Sequence, residues 1–193
     1  MLTIYIDFKE AAAFLAVEPT LSLAKRFDLD LVWRAYLCQD RDLPDRGADP
    51  AVVRSHEQAR ARAIRSTHQR YATLRGIDLR FPAECHNTDL ALGALAQLSG
   101  GALPFVRQAF AAYWSEHLDL SRRDVVERLL DRSGDRGRVD LDAAPAALAA
   151  AQAEAEALGV VDAPAYAIDG QLFIGRQHLP WIGEIAGRLR AQT

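Results

Sequence analysis

The stretch DFKEAAAFLA, residues 7–16, joins an apolar strand-forming run, residues 2–6, to an alanine-rich helix, and it sets Glu10 at the corner. Where a strand feeds a helix N-terminus, free backbone N–H groups and the helix dipole favour negative charge. A thiolate or a phosphate is commonly received there. Glu10 instead supplies its own charge. As an acid at the helix start it stabilises the helix by about 0.3–1 kcal/mol. In a half-buried cleft the same carboxylate acts as a general base, its pKa raised by desolvation or lowered by the helix end. Both readings stand on the sequence, and Glu10 is the candidate catalytic residue.

Other chemistries lack their residues. Cys38 and Cys85 are the only cysteines and form no C-x-x-C, so dithiol exchange by the usual pair is unavailable. Both are expected free, with Cys38 in the core. The histidines, at 56, 68, 86, 117 and 178, make no i, i+4 pair and no H-E-x-x-H, and no metal site is expected. There is no Ser-His-Asp order and no glycine-rich phosphate loop. Arginines 54, 60, 62, 65, 70 and 75, with His56 and His68, belong to one helix: they read either as a basic face that receives an anionic ligand such as a carboxylate from the lid side, or as a solvated face, which their spread around all sides favours for most of them. With a net charge of −3 and no continuous basic stripe, nucleic acid is not an expected partner. No apolar run approaches the roughly 20 residues that span a membrane. Leu2 already belongs to the first strand, so the expected location is the cytoplasm.

The elements that position Glu10 follow from periodicity. Residues 2–6 predict a strand, and residues 10–26 a helix that Pro19 should kink or break. Residues 27–38 alternate as a second strand, and residues 39–50 read as a loop. From 51 to 159 nearly every window is helical: a long basic helix over 51–75, one capped by Thr88, one over 103–117, one started by a Ser121–Asp124 capping box, and an alanine-rich one stopped by Gly159. Residues 165–168 and 172–174, joined by Asp169-Gly170, predict a hairpin. A closing helix should bury Trp181, Ile182, Ile185 and Leu189, and all three tryptophans are expected in packing roles. The order is β-α-β, helices, then β-β-α. This predicts an α/β thioredoxin fold with a large all-helical insertion. Residues 1–50 and 160–193 make the thioredoxin-like unit, and residues 51–159 the lid over one end.

Several fragments, in order, resemble the DsbA-like thioredoxin-fold group, specifically 2-hydroxychromene-2-carboxylate isomerases and kappa-class glutathione transferases. Residues 5–9 with 14–16 resemble its D-F-x-S-P-Y-x-Y-L-A opening, and residues 32–36 its V-x-W-R-P-F strand. Residues 70–77 and 111–120 resemble two of its helical stretches. Residues 158–166 with 169–175 resemble its G-V-x-G-V-P-T-F…G-x-L-F-x-G ending. The resemblance implies a cis Ala163–Pro164 bond that aims the Ala163 backbone at glutathione. It implies a cleft between Lys9-Glu10, Ala163-Pro164 and Gly175–His178, with Lys9, Ala163, Pro164, Gly175, Gln177 and His178 as cofactor-binding residues. It further implies isomerisation or conjugation of a small aromatic or carbonyl acid, and a homodimer.

Two departures weaken that site. The family's sulfur-binding serine aligns with Glu10, whose charge repels a thiolate. The family's G-x-D-R reads Gly175-Arg176-Gln177-His178, so an amide replaces the acid that holds an ammonium. Lost polar partners at a buried ligand cost about 1–3 kcal/mol each. Glutathione is therefore expected to bind weakly, and a non-catalytic ligand-binding or protein-interaction module is the alternative.

Overall fold

A computed structural model describes residues 1–39 and 50–191; the loop expected over 39–50 lies almost wholly outside the described residues. Strand β1 (Leu2–Ile6) leads through a tight corner into α1 (Ala11–Phe27), and β2 (Leu31–Ala35) follows. Then come α2 (Pro50–Arg75), α3 (Asp89–Gln97), α4 (Leu103–Trp114), α5 (Arg123–Ser133) and α6 (Ala144–Ala157). The chain closes with β3 (Ala165–Ile168), β4 (Gln171–Ile174), a short 3₁₀ turn (Arg176–His178) and α7 (Leu179–Ala191).

The strands form one mixed sheet in the order β2-β1-β3-β4. β1 runs parallel to β2 and antiparallel to β3, and β3 pairs antiparallel with β4. The register sets Trp33, Ile4, Tyr166 and Phe173 in one row across the sheet. This sheet brings the two ends of the sequence together, because β1 pairs with β3 across more than 150 intervening residues. Asp169 and Gly170 take φ of 50° and 68°, the doubly positive turn that tight hairpins favour.

Apolar alternation decides the layers. Leu2, Ile4, Ile6, Trp33 and Tyr166 are buried with α1, α4 and α7 in the main core. Tyr5, Ala165, Val160 and Ala163 form a smaller cluster on the opposite side, which includes Ala155 of α6. Phe8 lies edge-on to Phe110 at 5.1 Å and to Phe105 at 6.1 Å, so α4 packs against the β1–α1 corner. The Trp114 indole N–H donates to the Phe8 carbonyl at 2.9 Å, which ties the helical block to that corner.

Several expectations are corrected. α1 runs through Pro19 without a break, because Leu15, Ala16, Val17 and Thr20 bury around it and tertiary packing outweighs one lost hydrogen bond. The second strand begins at Leu31, since Phe27 belongs to α1 and Asp28, at φ 55°, turns the chain out of the helix. Helix α4 ends at Trp114, short of 117. Thr88 does not cap α3 with its side chain; its hydroxyl is spent elsewhere. Arg122 rather than Ser121 precedes α5, and the Ser121 hydroxyl donates to Asp119 at 2.7 Å. Trp33 and Trp114 are buried, but Trp181 is 53% exposed, because α7 turns Ile182, Ile185 and Ala186 inward instead.

Candidate functional site

The corner between β1 and α1 is organised by a residue the sequence reading passed over. Asp7 is fully buried, and its carboxylate collects three segments. One oxygen accepts the Thr88 hydroxyl at 2.7 Å and the Lys9 N–H at 3.2 Å. The other accepts the Cys38 N–H at 2.9 Å, with the Lys9 ammonium 3.8 Å away. Asp7 thereby fastens the starts of α1 and α3 to the end of β2. Burial still dominates its titration and raises its pKa above the ordinary carboxylate value, against the lowering by Thr88, Cys38 and Lys9.

Glu10 follows as the N-cap residue of α1. Its backbone is extended and its carbonyl accepts the Ala13 and Phe14 N–H groups, but its side chain makes no capping hydrogen bond. The stabilising role expected of a capping carboxylate is therefore confined to its charge near the helix end.

A cleft of about 470 Å³ opens beside this corner. Ala12 of α1, Thr67 and His68 of α2, residues 162–164 ahead of β3, and residues 174–177 after β4 line it. Among the residues singled out from the sequence, Ala163, Pro164, Gly175 and Gln177 meet in this wall. Lys9, Glu10 and His178 stand outside it: α1 reaches the cleft two residues after Glu10, at Ala12, and the His178 ring turns to Phe173 at 5.9 Å. The Ala163–Pro164 peptide bond is cis.

The polar groups of the wall are largely engaged with each other. The Ala163 N–H, expected to face a ligand, donates to the carboxylate of Asp162 at 2.8 Å. The same Asp162 oxygen receives the Cys38 thiol at 3.8 Å. The Gln177 amide donates to the Ile174 carbonyl at 3.1 Å, folding back over Gly175, whose φ of 95° and missing Cβ make room for it. Across the cleft the Arg176 guanidinium lies 3.8 Å from the centre of the Tyr71 ring and has no carboxylate partner among the described residues. His68 is half-buried, and desolvation, then Arg176, lowers its pKa, which favours the neutral imidazole. Cys38 is a poor nucleophile here: burial raises its pKa strongly, and the charges of Asp7, Glu10 and Asp162 add to the effect.

Two larger hollows lie elsewhere, one of about 810 Å³ between α1 and α7 and one of about 610 Å³ along α2, and neither touches the corner. Among the described residues no cluster of three or more His, Cys, Asp or Glu is placed to hold a metal ion. No described helix is long and apolar enough to cross a membrane.

A family model described as "DSBA-like thioredoxin domain" matches residues 3–184, nearly the whole chain. The chain belongs to the DsbA-like thioredoxin family. Solved structures agree in fold. A 2-hydroxychromene-2-carboxylate isomerase superposes with a TM-score of 0.73 at 20% identity, covering 99% of this chain and 96% of that one. A probable DsbA oxidoreductase from Streptomyces coelicolor gives 0.70 at 16% identity, covering 100% and 90%. The cytosolic disulfide reductase DsbM from Pseudomonas aeruginosa, solved with GSH, gives 0.56 at 17% identity, covering 99% and 98%. No curated protein matches the sequence. At these identities the DsbA-like fold is what is shared.

Ala12, Thr67, His68, Asp162, Ile174 and Arg176 are the wall residues that were not among the assigned site residues. Asp162 precedes the Ala-Pro pair and Arg176 sits within Gly175-Arg176-Gln177, so position relative to those motifs was the available signal. Asp7 gave none, since an aspartate in a turn needs no tertiary role.

Proposed function

We propose that this DsbA-like chain binds a small carboxylate-bearing molecule in the cleft between Ala12, Pro164 and Gln177. On this reading it is related to the glutathione-dependent 2-hydroxychromene-2-carboxylate isomerases, with a degenerate thiol site. The observation that carries the reading is the Asp162–Ala163 contact. The backbone donor that would pair with glutathione is already held by a carboxylate, which also repels an anionic thiol. Glu10 at the helix start and Gln177 folded onto Ile174 act in the same direction.

What remains available is a cation. Arg176, its guanidinium carbon 3.8 Å from the centre of the Tyr71 ring and without a carboxylate partner among the described residues, can offer its N–H donors to a carboxylate, which guanidinium groups suit. Thr67 and a neutral His68 stand beside it. Dithiol exchange is not part of this reading, because the chain has no C-x-x-C and Cys38 is buried. If the scaffold is catalytic, the reaction it fits is isomerisation of a small aromatic or carbonyl acid held by Arg176. The specific observation favouring a non-catalytic binding module is that the wall holds no readily ionised thiol and that Glu10 lies outside it.

Calorimetry tests this directly. Reduced glutathione should bind the wild type no tighter than about 1 mM, and Glu10→Ser with Gln177→Asp should improve it by about tenfold or more. Simple aromatic and keto acids should bind the wild type and lose affinity in Arg176→Gln. Wild-type glutathione binding at tens of micromolar contradicts a degenerate site.

A further inference from the structure

One imidazole in the cleft wall makes no hydrogen bond with the protein. The His117 ring nitrogen lies 3.0 Å from the Arg80 carbonyl, and the His178 ring rests on Phe173 at 5.9 Å. His56 is exposed near the start of α2, outside the cleft. His68, further along the same helix, is half-buried in the wall, and its ring has no hydrogen-bond or ion-pair partner among the described residues. It reaches the cleft from α2, and Arg176 reaches it from the turn after β4.

Few charged groups surround this ring. Asp162 faces the cleft from the segment ahead of β3, and Ala12 of α1 brings no charge. Arg65, one turn earlier on α2, stands over the Phe81 ring at 4.4 Å. Burial, then the charge of Arg176, holds the His68 pKa below the ordinary imidazole value. The ring is therefore neutral at pH 7, with one nitrogen free to accept a proton. A fixed cation beside a neutral base suits a particular kind of acid. A carboxylate on the guanidinium sets the molecule's position. In a 2-keto acid the ketone oxygen sits on the next carbon, within the span of the same planar set of N–H donors. Negative charge that develops on that oxygen is stabilised there.

We propose that His68 is the proton acceptor of the cleft, and that its substrate is a 2-keto acid bearing hydrogen on the carbon beyond the ketone, which the protein interconverts with the enol. This role for His68 rests on the reading that Arg176 holds the carboxylate. The C–H bond breaks and its proton passes to the free imidazole nitrogen. The electron pair of that bond forms the C=C bond, and the carbonyl π pair moves to oxygen, giving an enolate beside Arg176. The imidazolium returns the proton to the oxygen, which completes the enol, or to the carbon, which regenerates the ketone. Nothing is oxidised or reduced and no thiol takes part, so a chain without C-x-x-C can carry out the step.

Proton NMR of phenylpyruvate in D2O, with binding measured by calorimetry on the same proteins, tests this. The wild type should exchange the protons beside the ketone for deuterium about 100-fold faster than buffer alone. His68→Gln, close to histidine in size but unable to take up a proton, should keep the affinity within about threefold and lose that acceleration. His56→Gln should leave both unchanged. A wild type that binds phenylpyruvate through Arg176 but exchanges its protons no faster than buffer overturns the role of His68 and leaves the carboxylate reading standing. So does a His68→Gln variant that exchanges like the wild type, or one that loses affinity as Arg176→Gln does. Affinity that is absent, or undiminished in Arg176→Gln, overturns the carboxylate reading and the role of His68 with it.

Discussion

The Asp162 carboxylate accepts the N–H of its own neighbour, Ala163, at 2.8 Å on the wall of the cleft. The contact converts a backbone donor into part of the wall and sets a negative charge in its place. Asp162→Ala should therefore free the donor and lower repulsion together, tightening glutathione binding by about tenfold. Asp162→Asn, which keeps an acceptor and removes the charge, should fall between the two. Calorimetry on the three proteins separates these effects, and equal affinities in all three would exclude this contact as the block.

Asp7 makes a prediction about pH. Its folded pKa is raised above the unfolded value of 3.8, so the folded state holds that proton more tightly. The stability this group contributes is complete below the unfolded pKa and is lost as pH rises through the folded one. Asp7→Asn removes the titration and sets an NH2 group against the backbone N–H of either Cys38 or Lys9, a mismatch of about 1–3 kcal/mol. The variant's deficit should be largest in acid and shrink as pH rises. Urea unfolding of both proteins across pH checks the sign; a deficit that grows with pH refutes it.

Gly93 lies where α3 meets α6. A Cβ there would sit 2.8 Å from the Ala144 Cβ and press on the Ala144 carbonyl, which is backbone and cannot swing away. Alanine gains about 1 kcal/mol of helix propensity over glycine. Overpacking costs about 1–3 kcal/mol or more, and here it should prevail. Gly93→Ala should lower the midpoint of thermal unfolding, whereas propensity alone would raise it.

Gly175, at φ 95°, is needed for its backbone as well as its space. Gly175→Ala should cost about 1–3 kcal/mol of stability through backbone strain. It should also dislodge the Gln177 amide from the Ile174 carbonyl. Its mark in an amide NMR spectrum is a shift confined to residues 174–177 and the facing Ala163, with α2 to α6 undisturbed.

The sheet and most helices were legible because their signals are local. The Asp-Gly turn, the apolar run of residues 2–6 and the alanines before Gly159 each act within a few residues, and the structure follows them. The misreadings share one cause. Thr88 and Ser121 have the right chemistry for caps, but Thr88 is claimed by Asp7, 81 residues away, and Ser121 by Asp119. Pro19 is tolerated because packing holds α1 on both sides of it. The cleft motifs Ala163-Pro164 and Gly175–Gln177 were readable from resemblance. The pairing of Asp162 with Ala163, and of Arg176 with Tyr71, depends on which side chains the folded walls bring within reach, and no spacing in the sequence encodes it.

Trp181 differs from its two counterparts in a usable way. Trp33 and Trp114 are sealed in the interior, whereas Trp181 meets water and rests 5.8 Å from Phe173, next to the turn that bears Arg176. Indole emission moves to longer wavelength in contact with water, so the red edge of the protein's fluorescence belongs to this one side chain. The molecule thus carries its own optical gauge beside β4, the strand that ends in the cleft wall, and a Trp181→Phe variant supplies the blank against which any change there is read.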